Sequence, residues 1–389
     1  MGGPEAKRRL RIAIATLGRF HVLDLARELA ALGHEVHFYS YVPRRRAERF
    51  GLPTECHVAL LPLLWPLVAL SRFIRQRRLR DSLDRVMYAA ANWAVRLRLK
   101  PCDVFIGMSG IYLEAAEYAR RRFGARIVVE RGSRHILSQK RILDEIRNLA
   151  PQSSIVPDWV VPRELSNYAM ADLIAVPSLH ALQSFIDEGV NQLKMFRNPY
   201  GVDLGMFYPD ATEQNSKKLV LFVGTWSFQK GVDLLVRAME QMAGLEGQLV
   251  HVGPPGDAPM PDVPWFTTAG TVDQQELRRW YCSARVLVLP SRQEGLALVQ
   301  VQALACGCPI IVSDRSGGGD LEVYLVGRDM IDVVPAEDVD ALRQAISRRL
   351  GADRAIVDAE AIYAQISASL SWSTYGKRYA DRLQSLANG

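Results

Sequence analysis

Leu289-Pro290-Ser291-Arg292-Gln293-Glu294-Gly295-Leu296-Ala297-Leu298-Val299-Gln300-Val301-Gln302-Ala303-Leu304-Ala305-Cys306-Gly307-Cys308-Pro309 is the stretch of this 389-residue chain that says most. Val286 to Pro290 reads as an apolar strand, Gly295 to Cys306 as a helix, and Pro309 to Ser313 as the next strand. Strand, loop, helix, strand is the grammar of a parallel sheet. Glu294 stands on the loop just before the small residues that open the helix. Free amides at such a helix start bind an anion such as a diphosphate. A carboxylate beside them is placed to accept hydrogen bonds from sugar hydroxyls. Gln302 follows about two turns along the same helix.

The same grammar runs outward in both directions. Leu219 to Val223 is a strand, followed by Gly224, a loop and a helix from Val232 to Met242. Gln248 to Gly253 is a further strand. Nearer the start, Arg11 to Thr16 reads as a buried strand, Gly18 as a turn, His21 to Leu32 as a helix and Glu35 to Ser40 as a second strand. More strands follow at Asp103–Gly107, Ile127–Glu130 and Asp172–Pro177. Asn198 to Glu213, rich in Pro, Gly and Asp, is the expected hinge. The expectation is α/β: two facing Rossmann-like domains with parallel sheets and a cleft between them. The first covers 1–198, with a closing helix at about 373–389 packing back on it; the second covers 199–372.

Composition agrees with a globular chain: 49% apolar and 23% charged residues exclude disorder. No run of apolar residues is long enough for a transmembrane helix. The net charge of +6 is uneven. Residues 1–200 carry 31 Lys+Arg against 19 Asp+Glu, so +12; residues 201–389 carry 17 against 23, so −6. The five cysteines, Cys56, Cys102, Cys282, Cys306 and Cys308, form no CxxC pair and no zinc spacing. Free thiols in a reducing cytoplasm are expected.

The stretch quoted first resembles the E-x7-E region of the retaining glycosyltransferases of family 4, the GT-B "group 1" type, whose usual pattern is roughly PSxxEGFGLxxxEAMACGxPV. The resemblance extends over nearly the whole chain. It includes Gly33-His34-Glu35-Val36, Ala171-Asp172-Leu173-Ile174-Ala175-Val176-Pro177-Ser178 and Pro199-Tyr200-Gly201-Val202-Asp203 with Phe207 and Pro209. It also includes Phe222-Val223-Gly224 with Lys230-Gly231-Val232-Asp233, and Ser371-Trp372. There are departures. The second acidic position is Gln302, Leu296-Ala297 replaces Phe-Gly, and Thr225 stands where an arginine is frequent.

The resemblance implies a metal-independent transfer, with retention, from a UDP- or GDP-linked sugar used as substrate, and no bound cofactor. Glu294 would be the donor-sugar ligand, Lys230 the phosphate ligand and Gln302 the ribose contact. Gly18, Gly224, Gly253, Gly270, Val272, Arg292, Gly295, Leu296, Ala297 and Leu298 would line the donor site. Gly317-Gly318-Gly319 is a weaker loop of the same kind. In the first domain the family often has a histidine at a strand end. His135 is the candidate there, with Arg131 its rival. The alternative is a degenerate, non-catalytic GT-B scaffold or subunit of a glycosylation complex.

The basic excess has its own pattern. Val58 to Leu70 is apolar, contains Trp65 and is broken by Pro62 and Pro66, too interrupted for a helix. Arg72, Arg75, Arg77, Arg78 and Arg80 follow, interleaved with Phe73, Ile74 and Leu79. Residues 71–100 carry nine basic and two acidic side chains, so +7. Such a segment suits an anionic membrane surface. The expected acceptor is accordingly lipid-linked or a glycan precursor, and the expected place is peripheral, at the cytoplasmic inner face of a membrane. No nucleic-acid motif accompanies the charge, so nucleic acid is not an expected partner.

Overall fold

The structure is a computed structural model. It describes all residues except 1–7, 72, 75, 154, 214–217, 243–246, 352–358 and 389, and the side chains of 77, 78 and 211. Strands β1 (Arg11–Ala15), β2 (Glu35–Ser40), β3 (His57–Ala59), β4 (Val104–Met108), β5 (Arg126–Glu130), β6 (Leu173–Val176) and β7 (Met195–Arg197) make one sheet. Its order is β3-β2-β1-β4-β5-β6-β7, parallel throughout. Strands β8 (Lys218–Val223), β9 (Gly247–Val252), β10 (Phe266–Gly270), β11 (Val286–Leu289), β12 (Ile310–Ser313) and β13 (Ile331–Val334) make the other. Its order is β10-β9-β8-β11-β12-β13, again parallel.

The continuous apolar runs follow from this burial. Ile12 to Ala15 and Val286 to Leu289 have helices on both faces and are nearly inaccessible. In each sheet the order reverses beside the first strand, between β1 and β4 and between β8 and β11. A crevice opens at the carboxyl ends of strands at such a reversal. The segments Thr16–Arg19, Gly224–Thr225 and Pro290–Glu294 leave the sheets there.

The chain crosses between the domains twice. After β7 it passes through 198–213, where the Val202 amide donates to the Leu370 carbonyl at 2.8 Å. It returns through a closing helix, Trp372–Asn388, which lies against the first helix, Phe20–Ala31. Gly376 makes that approach possible: a Cβ there would lie 2.4 Å from the Cβ of Glu28. The Tyr379 hydroxyl donates to the Glu130 carboxylate, whose other oxygen is 2.8 Å from His21 Nε2.

One expectation is corrected. The segment 61–70 is a helix, Leu61–Leu70, despite its prolines. Pro62 falls in the first turn, where an amide has no intrahelical partner to lose. Only Pro66 interrupts the ladder. All five cysteines are buried free thiols. Among the described residues no helix is long and apolar enough to cross a membrane.

Candidate functional site

Lys230 ends a short turn, Phe228–Lys230, after β8. Gly231 follows with φ at +70°, and a Cβ on it would lie 2.1 Å from the Pro290 carbonyl oxygen. Only glycine lets the turn close against the end of β11. This closure brings the Lys230 ammonium onto the Glu294 carboxylate, which it contacts directly. Burial pushes the lysine down to about 8, and the contacting carboxylate works against that. Beside the pair the Leu298–Ala305 helix begins at Ala297, with no side-chain cap. The Gln300 amide already donates to the Ala297 carbonyl at 3.0 Å, which leaves the Leu298 and Val299 amides to an anion.

The neighbouring strand ends supply the floor. Gly224, Gly253 and Gly270 meet at the ends of β8, β9 and β10. The Gly253 amide donates to the Gly270 carbonyl at 2.8 Å, and a Cβ on Gly253 would lie 2.2 Å from the Gly224 carbonyl oxygen. Buried His251 fixes the arrangement through Gly224 O at 2.9 Å and Thr268 Oγ1 at 3.1 Å. Val272 packs partly buried in the loop after β10, and Leu296 is buried below the helix start. Further along the helix, Gln302 Oε1 accepts from the Tyr281 hydroxyl at 3.2 Å.

The first domain closes over this floor. A Cβ on Gly295 would lie 2.1 Å from the Gly132 carbonyl oxygen, and Gln293 Nε2 donates to Ser133 Oγ at 2.6 Å. Ser178 Oγ donates to the Gly295 carbonyl at 2.8 Å, and Asp320 accepts the Leu179 amide. The loop 131–135 therefore does face the helix start, through Gly132 and Ser133.

Arg131 and His135 on that loop are turned away. Arg131 is held by Glu164 at 2.7 Å, Gln139 at 2.5 Å and the Arg134 carbonyl at 2.9 Å. His135 is buried against Tyr168 and Phe185, and its Nδ1 caps the next helix by accepting the Leu137 amide at 3.4 Å. Burial pushes this imidazole down to about 4. Arg292 is likewise spoken for, by Asp233 at 2.6 and 2.7 Å and Glu337 at 2.7 Å. Of the cations expected at the diphosphate, Lys230 is the one that reaches the helix start. Gly18 has ordinary space for a Cβ, 3.5 Å from the Phe20 ring, so the fold itself does not require glycine there.

A cavity of about 360 Å³ lies between the domains. It is lined by Arg19, Asp24 and Arg27 of the first domain, by Asp203 of the linker, and by Leu298 and Gln302 of the second. Sequence reading did not single out Arg19, although it follows Gly18 directly at the end of β1.

The basic segment makes a separate surface. Arg72 and Arg75, and the side chains of Arg77 and Arg78, lie outside the described residues. Arg80 is exposed and donates to the Ser71 carbonyl at 3.0 Å. The long helix Arg77–Arg98 buries Leu83, Met87, Ala91 and Ala94. On the adjoining arc, Leu79, Val86 and Trp93 repeat at seven-residue spacing, with Leu97 beside them, all more than half exposed. Trp65, on the preceding Leu61–Leu70 helix, and Phe73, in the turn after it, are 61% and 81% exposed.

Residues 217–351 match the family described as glycosyl transferases group 1. The sulfoquinovosyl transferase SQD2 of Arabidopsis thaliana is 31% identical over 188 residues, 42% of this chain and 34% of that protein. The lipopolysaccharide core biosynthesis mannosyltransferase LpcC of Rhizobium leguminosarum is 31% identical over 173 residues, 38% of this chain and 47% of that protein. The matches thus span about half or less of these relatives' length. Anabaena HepE, solved in complex with UDP-glucose, superposes with a TM-score of 0.69 over 97% of this chain and 100% of that one, at 13% identity. Residues 217–351 form a group 1 glycosyltransferase domain, and the whole chain has the GT-B fold.

Proposed function

We propose that the protein transfers a sugar from a nucleoside diphosphate sugar, UDP- or GDP-linked, to an acceptor held by the first domain. The observation that carries this is the Lys230–Glu294 contact at the uncapped start of the Leu298–Ala305 helix, facing Gly132 and Ser133 across the cleft. When a donor enters, its diphosphate takes the Lys230 ammonium and the helix amides. Glu294, released from the lysine, accepts from hydroxyls of the sugar. As the C1–O bond breaks, charge grows on the leaving phosphate. Groups already aimed at that charge lower the barrier. Gln302 meets the ribose. The reaction proceeds with retention and without a metal, and a leaving phosphate oxygen takes the acceptor's proton.

The acceptor is a lipid-linked or glycan precursor, and the protein works at the cytoplasmic face of an anionic membrane. The exposed Trp65, Phe73 and Trp93 surface beside the Arg-rich segment supports this. A thermal-shift screen against UDP, GDP and other nucleoside diphosphates, followed by nucleotide release from the matching sugar donors, tests the reading. Stabilisation by one nucleotide and turnover of its sugar conjugate are expected. Stabilisation without turnover of any donor in the presence of glycolipid acceptors would favour the scaffold alternative, to which Gln302 and Thr225 point. No stabilisation by any nucleotide would overturn the transferase reading and leave only the scaffold.

A further inference from the structure

Arg19 lines the cleft with no hydrogen bond of its own among the described residues. Its guanidinium lies over the Phe50 ring, 3.4 Å from the centroid. Its nearest carboxylate oxygen, on Asp24, is 3.9 Å away, beyond hydrogen-bond reach. Asp24 is already bound at 2.7 Å by Arg27, which also takes Glu28 and the Phe50 carbonyl. An arginine carries five N–H donors, and here they open onto the cavity shared with Leu298 and Gln302. Burial lowers its pKa. The next residue, Phe20, holds φ at +34°, a value that non-glycine residues rarely adopt, so a strained turn presents this arginine.

The cavity has the charge for an anion. Arg19, Arg27 and Arg49 face Asp24 and Asp203, an excess of one positive charge. Leu298 is the first residue of the helix whose amides begin the diphosphate site, so the cavity and that site adjoin.

We propose that Arg19 is a phosphate ligand supplied across the cleft by the first domain. It takes a phosphate oxygen of the ligand bound between itself and the Leu298–Ala305 helix, either the donor's diphosphate or a phosphate on the acceptor. Because it reaches from one domain to a ligand seated on the other, it ties closure of the cleft to the presence of that phosphate. This rests on the glycosyltransferase reading above.

Calorimetric titration of the full chain with UDP, GDP and the parent nucleosides tests it, using Arg19→Gln, Arg19→Lys and Lys230→Ala. For the nucleoside diphosphate that binds, Arg19→Gln is expected to weaken affinity roughly tenfold or more, the worth of a charge-assisted hydrogen bond. Arg19→Lys recovers part of it, and nucleoside affinity stays unchanged, which shows the site is intact. If the phosphate is the acceptor's, diphosphate affinity holds. Inorganic phosphate then binds the nucleotide-saturated protein more weakly in Arg19→Gln than in the parent. If Lys230→Ala loses diphosphate affinity while Arg19→Gln changes neither titration, the proposal fails and the functional reading stands. If the parent chain binds no nucleotide, both fail.

Discussion

Gly295 and Gly132 meet backbone to backbone across the domain boundary, with no room for a Cβ between them. The contact sets how far the cleft can shut, because Gly295 immediately follows Glu294. Gly295→Ala would put its methyl 2.1 Å from the Gly132 carbonyl oxygen, so the domains must part. Overpacking of this kind costs about 1–3 kcal/mol. The expected outcome is a lower melting temperature and a fall in kcat of tenfold or more with nucleotide affinity largely kept. A wild-type melting curve and rate would show that the contact does not govern closure.

Lys230 gives donor binding a pH dependence. The ammonium is the form that holds a diphosphate, and burial lowers it to about 8. Nucleoside diphosphate affinity is therefore expected to be level on the acid side of 8 and to fall as pH rises through and beyond it. Lys230→Arg should flatten that fall, since a guanidinium stays charged. Lys230→Ala should cost roughly a hundredfold or more in kcat, the scale of losing an oxyanion-type stabiliser. Titration calorimetry from pH 6.5 to 9.5 reads the first effect and nucleotide release the second.

His135 should matter for stability. Its pKa is about 4 in the folded protein against about 6.5 in an unfolded chain. A base depressed in this way contributes stability that is full above about 6.5 and is lost as pH falls toward 4. His180, lowered to about 4 by burial and by Arg134, adds to the same window. His135→Leu should lower the melting point at neutral pH and make its decline between pH 6.5 and 4 shallower. Turnover per folded molecule should stay within a few-fold. A large loss of kcat with an unchanged acid slope would mean that the imidazole meets the substrate.

The exposed face around Trp65 and Trp93 predicts membrane behaviour. Flotation with vesicles containing about a third anionic lipid should retain the protein at low salt and release it as salt rises, since the basic residues contribute about 1 kcal/mol each near such a surface. Trp65→Ser with Trp93→Ser should weaken retention at every salt concentration without changing the melting temperature. Equal retention on neutral and anionic vesicles, or none on either, would rule out an anionic surface as partner.

Much of the fold was legible because buried parallel strands are continuous apolar runs. Arg11–Ala15, Lys218–Val223 and Val286–Leu289 announce themselves. Glu294 and the helix after it were legible for a related reason: strand end, carboxylate and small residues are neighbours in the chain. The cations were harder. A lone sequence shows that Arg292 and Arg131 are charged, but not that Asp233 and Glu164, far along the chain, already neutralise them. Arg19 was missed for the converse reason, since only three dimensions show that Arg27 has taken Asp24 and left Arg19 without a hydrogen bond among the described residues. The Leu61–Leu70 helix is not legible from proline content, because Pro62 at the first turn costs no hydrogen bond and only Pro66 interrupts the ladder.

The closing helix has a bearing on how the protein is made. Tyr379 reaches the buried Glu130, and Gly376 seats the helix on Glu28, yet both follow the whole second domain in the chain. The first domain is translated before the second, but it cannot cover its first helix until the second has been made. During that interval an apolar face and a carboxylate meant for the interior stay open to water. Of the two domains the earlier is completed after the later, and a nascent chain stalled before residue 372 should depend on chaperones at the first domain rather than at the second.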